Sequence, residues 1–192
     1  MSDLNQAKQL IIKKLQNLTF KKIEKRAGHL LSAVLVIFVN INNQLHIVFT
    51  RRTNKVKNHK GQVSFPGGVM EIEDRDLIDT ALRETLEEIG LSYSREEVIC
   101  QLPEVFSLNN YQIIPFVVFS NTLENLVINK REVIKIFSIP FDWLSNPCNW
   151  AYEDYPVAEG IRKVVVFREY EGEKLWGLTA QIVVNLIDLI HN

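Results

Sequence analysis

Cysteine is nearly absent. Cys100 and Cys148 are the only two in 192 residues, and they stand far apart in no CxxC spacing. Neither a disulfide framework nor a cysteine-built zinc site is supported, and free thiols suit a reducing compartment. Long apolar runs are missing too: Leu30–Val39, the longest, is interrupted by Ser32 and is about half of a membrane span. The opening MSDLNQAKQLIIKK lacks an apolar block followed by a small-residue cleavage site. A soluble, cytoplasmic protein with no membrane partner is therefore expected. Charge of one sign is also lacking. Lys+Arg 22 against Asp+Glu 23 leaves a net charge of -1, so no global field draws the chain onto nucleic acid or anionic lipid. With 6 Pro and 8 Gly, and no repeat or Pro/Gly/Ser linker, nothing divides the chain into several domains.

A 46% hydrophobic share is enough for a full core. Leu4, Ala7, Ile11, Leu15 and Leu18 recur at helical spacing with Lys8, Lys13 and Lys14 off the stripe. That predicts an amphipathic helix over 3–18, and residues 1–25 read as a helix packed on a domain of 26–192. Ala33–Val39 and Gln44–Arg51, separated by Asn40, Asn42 and Asn43, predict a β-hairpin. A short strand at Gln62–Phe65 precedes Pro66-Gly67-Gly68, and a helix over 76–89 stops at Gly90. Strands follow at 98–106, 111–119, 132–139 and 163–169, and a helix from about 177 to 190 closes the chain. The order predicts an α/β fold, a mixed sheet sandwiched by helices.

Local charge is where the balance breaks. Residues 51–60 carry five Lys/Arg and no acid, whereas 71–97 carry ten Asp/Glu and three Arg. On a helical wheel at about 100° per residue, Ile78, Leu82, Thr85 and Ile89 form the expected buried stripe, with Glu84, Glu87 and Glu88 on the other side. Glu84 and Glu88 lie one turn apart and repel. All three sit in the last two turns, where the helix dipole penalises negative charge. Arg83, at i,i+4 from Glu87, offsets part of that cost. Converging carboxylates beside a Gly-Gly turn suit a hard divalent cation such as Mg2+, and Gly68 lets the backbone bring a carbonyl ligand close. The metal ligands expected are thus Glu84, Glu88, Glu87 and Gly68.

The run Gly68-x5-Asp74-x8-Arg83-Glu84-Thr85-Leu86-Glu87-Glu88-Ile89-Gly90-Leu91 resembles the Nudix box. Asp74 stands where the box usually has Glu, one extra residue precedes Arg83, and Thr85 replaces an aliphatic residue. The first two departures resemble the coenzyme A diphosphatase branch. So does Thr50–Gly68, which follows that branch's upstream signature, with Thr53 for Ser, Val56 for Leu and Lys57 for Arg. Arg grips phosphate bidentately and Lys does not, so Lys57 bears on affinity. Arg131-Glu132-Val133, Ile139-Pro140-Phe141 and Leu175–Ala180 are similar to that branch as well.

The resemblance implies a Nudix-type α/β/α sandwich. It also implies Mg2+- or Mn2+-dependent hydrolysis of coenzyme A, or acyl-coenzyme A, to 3′,5′-ADP and 4′-phosphopantetheine. Glu84, Glu87 and Arg83 would be catalytic, Glu87 as ligand, water-held contact or general base and Arg83 as its orienter. Arg51, Arg52, Lys57 and His59 would meet the substrate's phosphates. Two alternatives are a Nudix hydrolase of another nucleoside diphosphate (ADP-ribose, NADH, a nucleotide sugar) and a non-catalytic nucleotide-binding regulator. Monomer and homodimer are both open.

Overall fold

The computed structural model describes residues 2–18, 23–53, 61–124, 126–157 and 160–191. Its backbone is organised by strand β1 (Leu30–Ile41), which pairs in parallel with β7 (Tyr111–Ser120) over ten residues, Leu30–Val39. β2 (Gln44–Arg52) folds back antiparallel on β1. The turn holds Asn42 and Asn43 at φ 51 and 62, the left-handed pair that a tight hairpin with the strands' own twist requires. β3 (Val63–Ser64) pairs β2, β4 (Gly67–Val69) pairs β1, β5 (Val98–Gln101) and β6 (Val105–Phe106) pair β7, and β8 (Val133–Pro140) pairs β2. The result is a mixed eight-stranded sheet.

Alternation along the central strands fills both faces. Leu35, Ile37, Ile114, Phe116 and Val118 pack against Leu77, Ala81 and Ile89 of α2 (Leu77–Ile89). Val36, Phe38, Ile47 and Phe49 pack on the other face against α1 (Ser2–Gln16) and α4 (Gly177–His191), through Ile11, Leu15, Val183 and Leu186. The expected α/β/α sandwich is present. α1 differs in detail from its stripe: Ile11 and Leu15 are buried and Leu18 packs on the core, but Ala7 is exposed. Lys14 Nζ donates to the Ile190 carbonyl at 2.7 Å, tying α1 to the negative end of α4. Tyr111 is half-buried rather than core, unlike Phe116.

Three elements have no counterpart in the sequence reading: β4, which lies where a Gly-Gly turn is expected, the short helix α3 (Phe141–Ser145) and strand β9 (Trp150–Val157); the single strand expected at 98–106 is divided into β5 and β6. β9 forms a separate antiparallel hairpin with β10 (Gly160–Phe167). Residues 151–156 are all exposed, so β9 carries no apolar alternation to reveal it. Among the described residues, no helix is long and apolar enough to cross a membrane.

The docking of α1 has a direct test. Leu15→Ala, which empties a fully buried position, is expected to cost about 2–5 kcal/mol in denaturant unfolding. Leu10→Ala, on the exposed side of the same helix, is expected to stay within about 0.5 kcal/mol.

Candidate active site

Helix α2 is held at both ends. Asp76 caps its start, the carboxylate accepting from the Ile78 and Asp79 N–H groups at 2.9 and 3.1 Å, as an N-cap should. Gly90 ends it at φ 75, its N–H donating to Leu86. The freed carbonyls of Glu88 and Ile89 then accept from the N–H groups of Asn129 and Val127, each at 3.0 Å. A Cβ on Gly90 would run into Val127, so glycine is needed both for the left-handed turn and for this close approach. Residues 126–132 are thereby pinned across the end of the acidic helix.

The helix is rotated from the expected wheel. Its buried face is formed by Leu77, Thr80, Ala81, Thr85, Glu88 and Ile89, while Ile78 and Leu82 are only partly buried. Glu88 therefore lies within the buried arc, not opposite it. The reason is visible in the sheet: β4 lies against α2, and the Gly67 N–H donates to Glu88 Oε2 at 3.3 Å. The three acids consequently sit in three environments, with side-chain exposures of 1% for Glu88, 14% for Glu84 and 54% for Glu87.

Arg83 organises the middle of the site. Its Nε and Nη2 grip both oxygens of Asp74 at 2.9 and 3.0 Å. Nη2 also reaches the Val69 carbonyl at 3.2 Å, and Nη1 donates to Glu84 Oε1 at 3.0 Å and Glu87 Oε2 at 3.4 Å. Asp74 further accepts from the Thr80 hydroxyl and the Glu71 N–H, both at 2.9 Å. The Arg83 hydrogen bonds hold the Asp74 carboxyl down at about 2. Arg83 is thus anchored first to Asp74 and only at longer range to Glu87. Gly68 faces Glu84: a Cβ there would collide with its carboxylate, so the missing side chain is the space that the acid occupies.

Glu88 is the costliest group. Burial pushes its carboxyl up to about 8, against the pull of Arg52, because a charge in a low-dielectric site is poorly solvated. Arg52 Nη1 donates to Glu88 Oε1 at 3.0 Å, so the basic segment and the acidic helix do meet. Glu84 is raised for the same reason, burial. Among the described residues no three acid, histidine or cysteine side chains stand close enough to hold a metal ion. Glu84 and Glu88 are each turned to a guanidinium instead.

The two adjacent arginines part company. Arg52 points to α2, while Arg51 Nη1 reaches the buried Glu173 at 3.4 Å on the opposite face, where Lys135 also donates to it at 2.8 Å. Lys57 and His59 lie outside the described residues. Glu132 was noted in the sequence without a role; its charge acts on both Glu84 and Glu88, and Asn129 Nδ2 donates to its Oε1 at 3.2 Å. Lys135 and Glu173 carried no signal, because only the pairing of β2 with β8 brings Lys135 beside Arg51.

A sheet between helices, with a glycine corner under an acidic, arginine-organised helix, is the architecture of a Nudix domain. The family described as NUDIX domain matches residues 29–159, and the chain belongs to that family as a Nudix hydrolase. Its relatives include the uncharacterized Nudix hydrolase NudL of Photorhabdus laumondii, 35% identical over 145 residues, 76% of this chain and 77% of that one. They also include the human mitochondrial coenzyme A diphosphatase NUDT8, 31% identical over 168 residues, 86% of this chain and 71% of that one. Among solved structures, a MutT/nudix family protein from Enterococcus faecalis aligns with a TM-score of 0.59 at 13% identity, covering 99% of this chain and 73% of that one. The NUDIX domain of Shewanella oneidensis NrtR, solved with ADP ribose, gives 0.51 at 19%, covering 68% and 82%. At these identities the two structures speak for the fold alone.

The buried acid sets a pH dependence. Folded Glu88 keeps its proton to about 8, whereas its ordinary value is 4.5. Between those values the folded state binds the extra proton, so stability falls as pH rises through the window. Gln titrates in neither state. In metal-free buffer, the stability of Glu88→Gln relative to wild type is expected to rise by a few kcal/mol from about pH 5 to pH 8. Denaturant unfolding at several pH values reads this, and a flat difference means Glu88 is ionised throughout.

Proposed function

We propose that this Nudix hydrolase cleaves the diphosphate of coenzyme A, free or acylated, to 3′,5′-ADP and the corresponding 4′-phosphopantetheine. One contact carries the reading: Arg52 donates to Glu88 at 3.0 Å. It joins the upstream Thr50–Gly68 segment, which resembles the coenzyme A branch, to the box that resembles the Nudix catalytic helix. The human relative named as a coenzyme A diphosphatase supports the same substrate.

Nudix enzymes generally use divalent metal ions, and the donor set here fits one. Glu84 and Glu88 are shielded carboxylates raised by burial, Gly68 lets the Glu84 carboxylate lie directly against the backbone, and every donor is an oxygen, the ligand type that Mg2+ and Mn2+ prefer. In this reading Glu84, Glu88 and the Gly68 backbone hold the ion, with Glu87 at its outer edge. Such an ion, when bound, neutralises diphosphate oxygens and acidifies water.

The rest is done by the chain. Arg83, fixed on Asp74, keeps Glu84 and Glu87 in place and need not touch substrate. Glu87 is the most exposed of the three acids, so it gives up the least solvent in taking a proton from an attacking water, the role we assign it. Arg52 stands where a phosphate oxygen approaching Glu88 would meet a cation, and we place Lys57 and His59 with it in phosphate binding, whereas Arg51, turned to Glu173 on the opposite face, would have to swing away from that partner to join them. Positioning and charge stabilisation of this kind account for most of the catalysis in phosphoryl transfer.

Incubation with coenzyme A and Mg2+ or Mn2+ is expected to release 4′-phosphopantetheine, and a chelator to stop it. Glu88→Gln is expected to lower turnover by several orders of magnitude while the circular dichroism spectrum stays unchanged. Near-normal turnover of that variant at saturating metal ion overturns the assignment. A higher kcat/KM on ADP-ribose than on coenzyme A moves the substrate to another nucleoside diphosphate.

A further inference from the structure

The acids that a metal ion would need are already committed to the chain's own donors. Glu88 Oε1 accepts from Arg52 Nη1 at 3.0 Å and Oε2 from the Gly67 N–H at 3.3 Å, on a side chain 1% exposed. Glu84 Oε1 accepts from Arg83. The two guanidiniums are not equivalent. Arg83 is tied to both oxygens of Asp74 and to the Val69 carbonyl as well, so a swing away from Glu84 would cost three other bonds. Arg52 has Glu88 as its one ion-pair partner among the described residues, and its side chain is 23% exposed.

Arg52 is fixed in its backbone and lightly held at its tip. Its N–H donates to the Gln62 carbonyl at 3.0 Å, and the Thr53 N–H donates to the Glu132 carbonyl at 2.7 Å. The β2–β8 register shifts between Arg51 and Arg52, an irregularity of the kind that re-aims side chains beside active sites. Beyond that stem, one hydrogen bond among the described residues keeps the guanidinium in place. Two cations on one carboxylate repel, so Arg52 and a divalent ion are rivals for Glu88. Arg52 is the one that can yield, because its head is partly exposed and stands where we place the diphosphate.

We propose that Arg52 is a place-holding cation: it neutralises Glu88 in the metal-free chain and transfers to the substrate's diphosphate when a divalent ion takes Glu88. Arg52 thereby couples the two binding events. Paired with Glu88, its charge is spent and an arriving diphosphate finds no free guanidinium. Released, it supplies a charge-assisted donor beside the diphosphate. Such coupling is reciprocal, so the diphosphate also favours metal binding. This rests on the metal-dependent diphosphate reading and deepens it: the site recruits its substrate in the metal-loaded state. A buried ion pair is weak evidence for stability, and a switching role accounts for keeping this one.

The test needs no turnover. Calorimetry with α,β-methylene-ADP, a diphosphate that resists cleavage, is run in saturating Mg2+ and in chelator on wild type and Arg52→Met. With Mg2+ the variant is expected to bind about 10- to 100-fold more weakly; in chelator it should match wild type within about twofold. An equal loss in both conditions makes Arg52 a plain phosphate ligand and overturns the switch, as does no loss in either. By reciprocity, the analogue should tighten Mn2+ binding, read by the paramagnetic resonance of free Mn2+, about 10- to 100-fold more in wild type than in Arg52→Met. A wild-type crystal grown with Mn2+ and no nucleotide shows the swing without a variant. With the ion bound, Arg52 Nη1 is expected beyond hydrogen-bond reach of Glu88, and a pair still at 3.0 Å beside the ion overturns the switch alone. Crystals in which Mn2+ avoids Glu84 and Glu88 refute the metal-site reading itself, and the switch with it.

Discussion

A carboxylate that the fold will not let reach water is the constraint around which the rest is arranged. Glu88 lies on the packed side of α2, 1% exposed, with a guanidinium on one oxygen and a backbone N–H on the other. A fold chosen for stability alone would carry apolar residues at both Glu88 and Arg52, since replacing a whole buried pair by apolar groups is often neutral or stabilising. The chain keeps the acid and surrounds it with devices that make it tolerable: a glycine corner, Arg52 from the neighbouring strand, and a loop laid across the helix end. Local penalties of this kind concentrate at functional sites.

The second acid depends on a different support. Arg83 would be free to neutralise any neighbour, yet Asp74 takes both sides of its guanidinium fork. Bidentate geometry of that sort fixes direction as well as energy. Among the described residues the Glu84 carboxylate is left with one side-chain donor, on Oε1, and it fills the space where Gly68 has no side chain. The Asp74–Arg83 pair is therefore the frame, and the glutamates are what it frames.

Much of this was legible in the order of residues. The Asn42-Asn43 hairpin, the Gly90 stop and the long apolar strands each follow from local chemistry, and each is found. The stripe Ile78, Leu82, Thr85 and Ile89 gives α2 a face but not its phase, and the phase is decided by β4, whose Gly67 N–H draws Glu88 inward. β9 was missed because a strand exposed on both sides has no pattern of its own. Lys135 and Glu173 were illegible for a third reason, since they meet Arg51 only through pairings between segments 84 and 122 residues away. The Nudix family and the fold could be read from motifs, whereas the partition of two adjacent arginines could not.

The parallel pairing of β1 with β7 has a consequence for biogenesis. The two strands begin at Leu30 and Tyr111, so the glycine corner and the whole acidic helix belong to the excursion that this pairing closes. Non-local strand pairing is slow because chain entropy must be surrendered before the contacts repay it. During synthesis, Arg52, Gly67 and Gly68 emerge ahead of Glu84 and Glu88, but the apolar floor under α2 lacks Ile114, Phe116 and Val118 until the chain through Ser120 has left the ribosome. Until then the helix that carries the acids rests on an unfinished surface, and the segment richest in charge is among the last to gain its full packing.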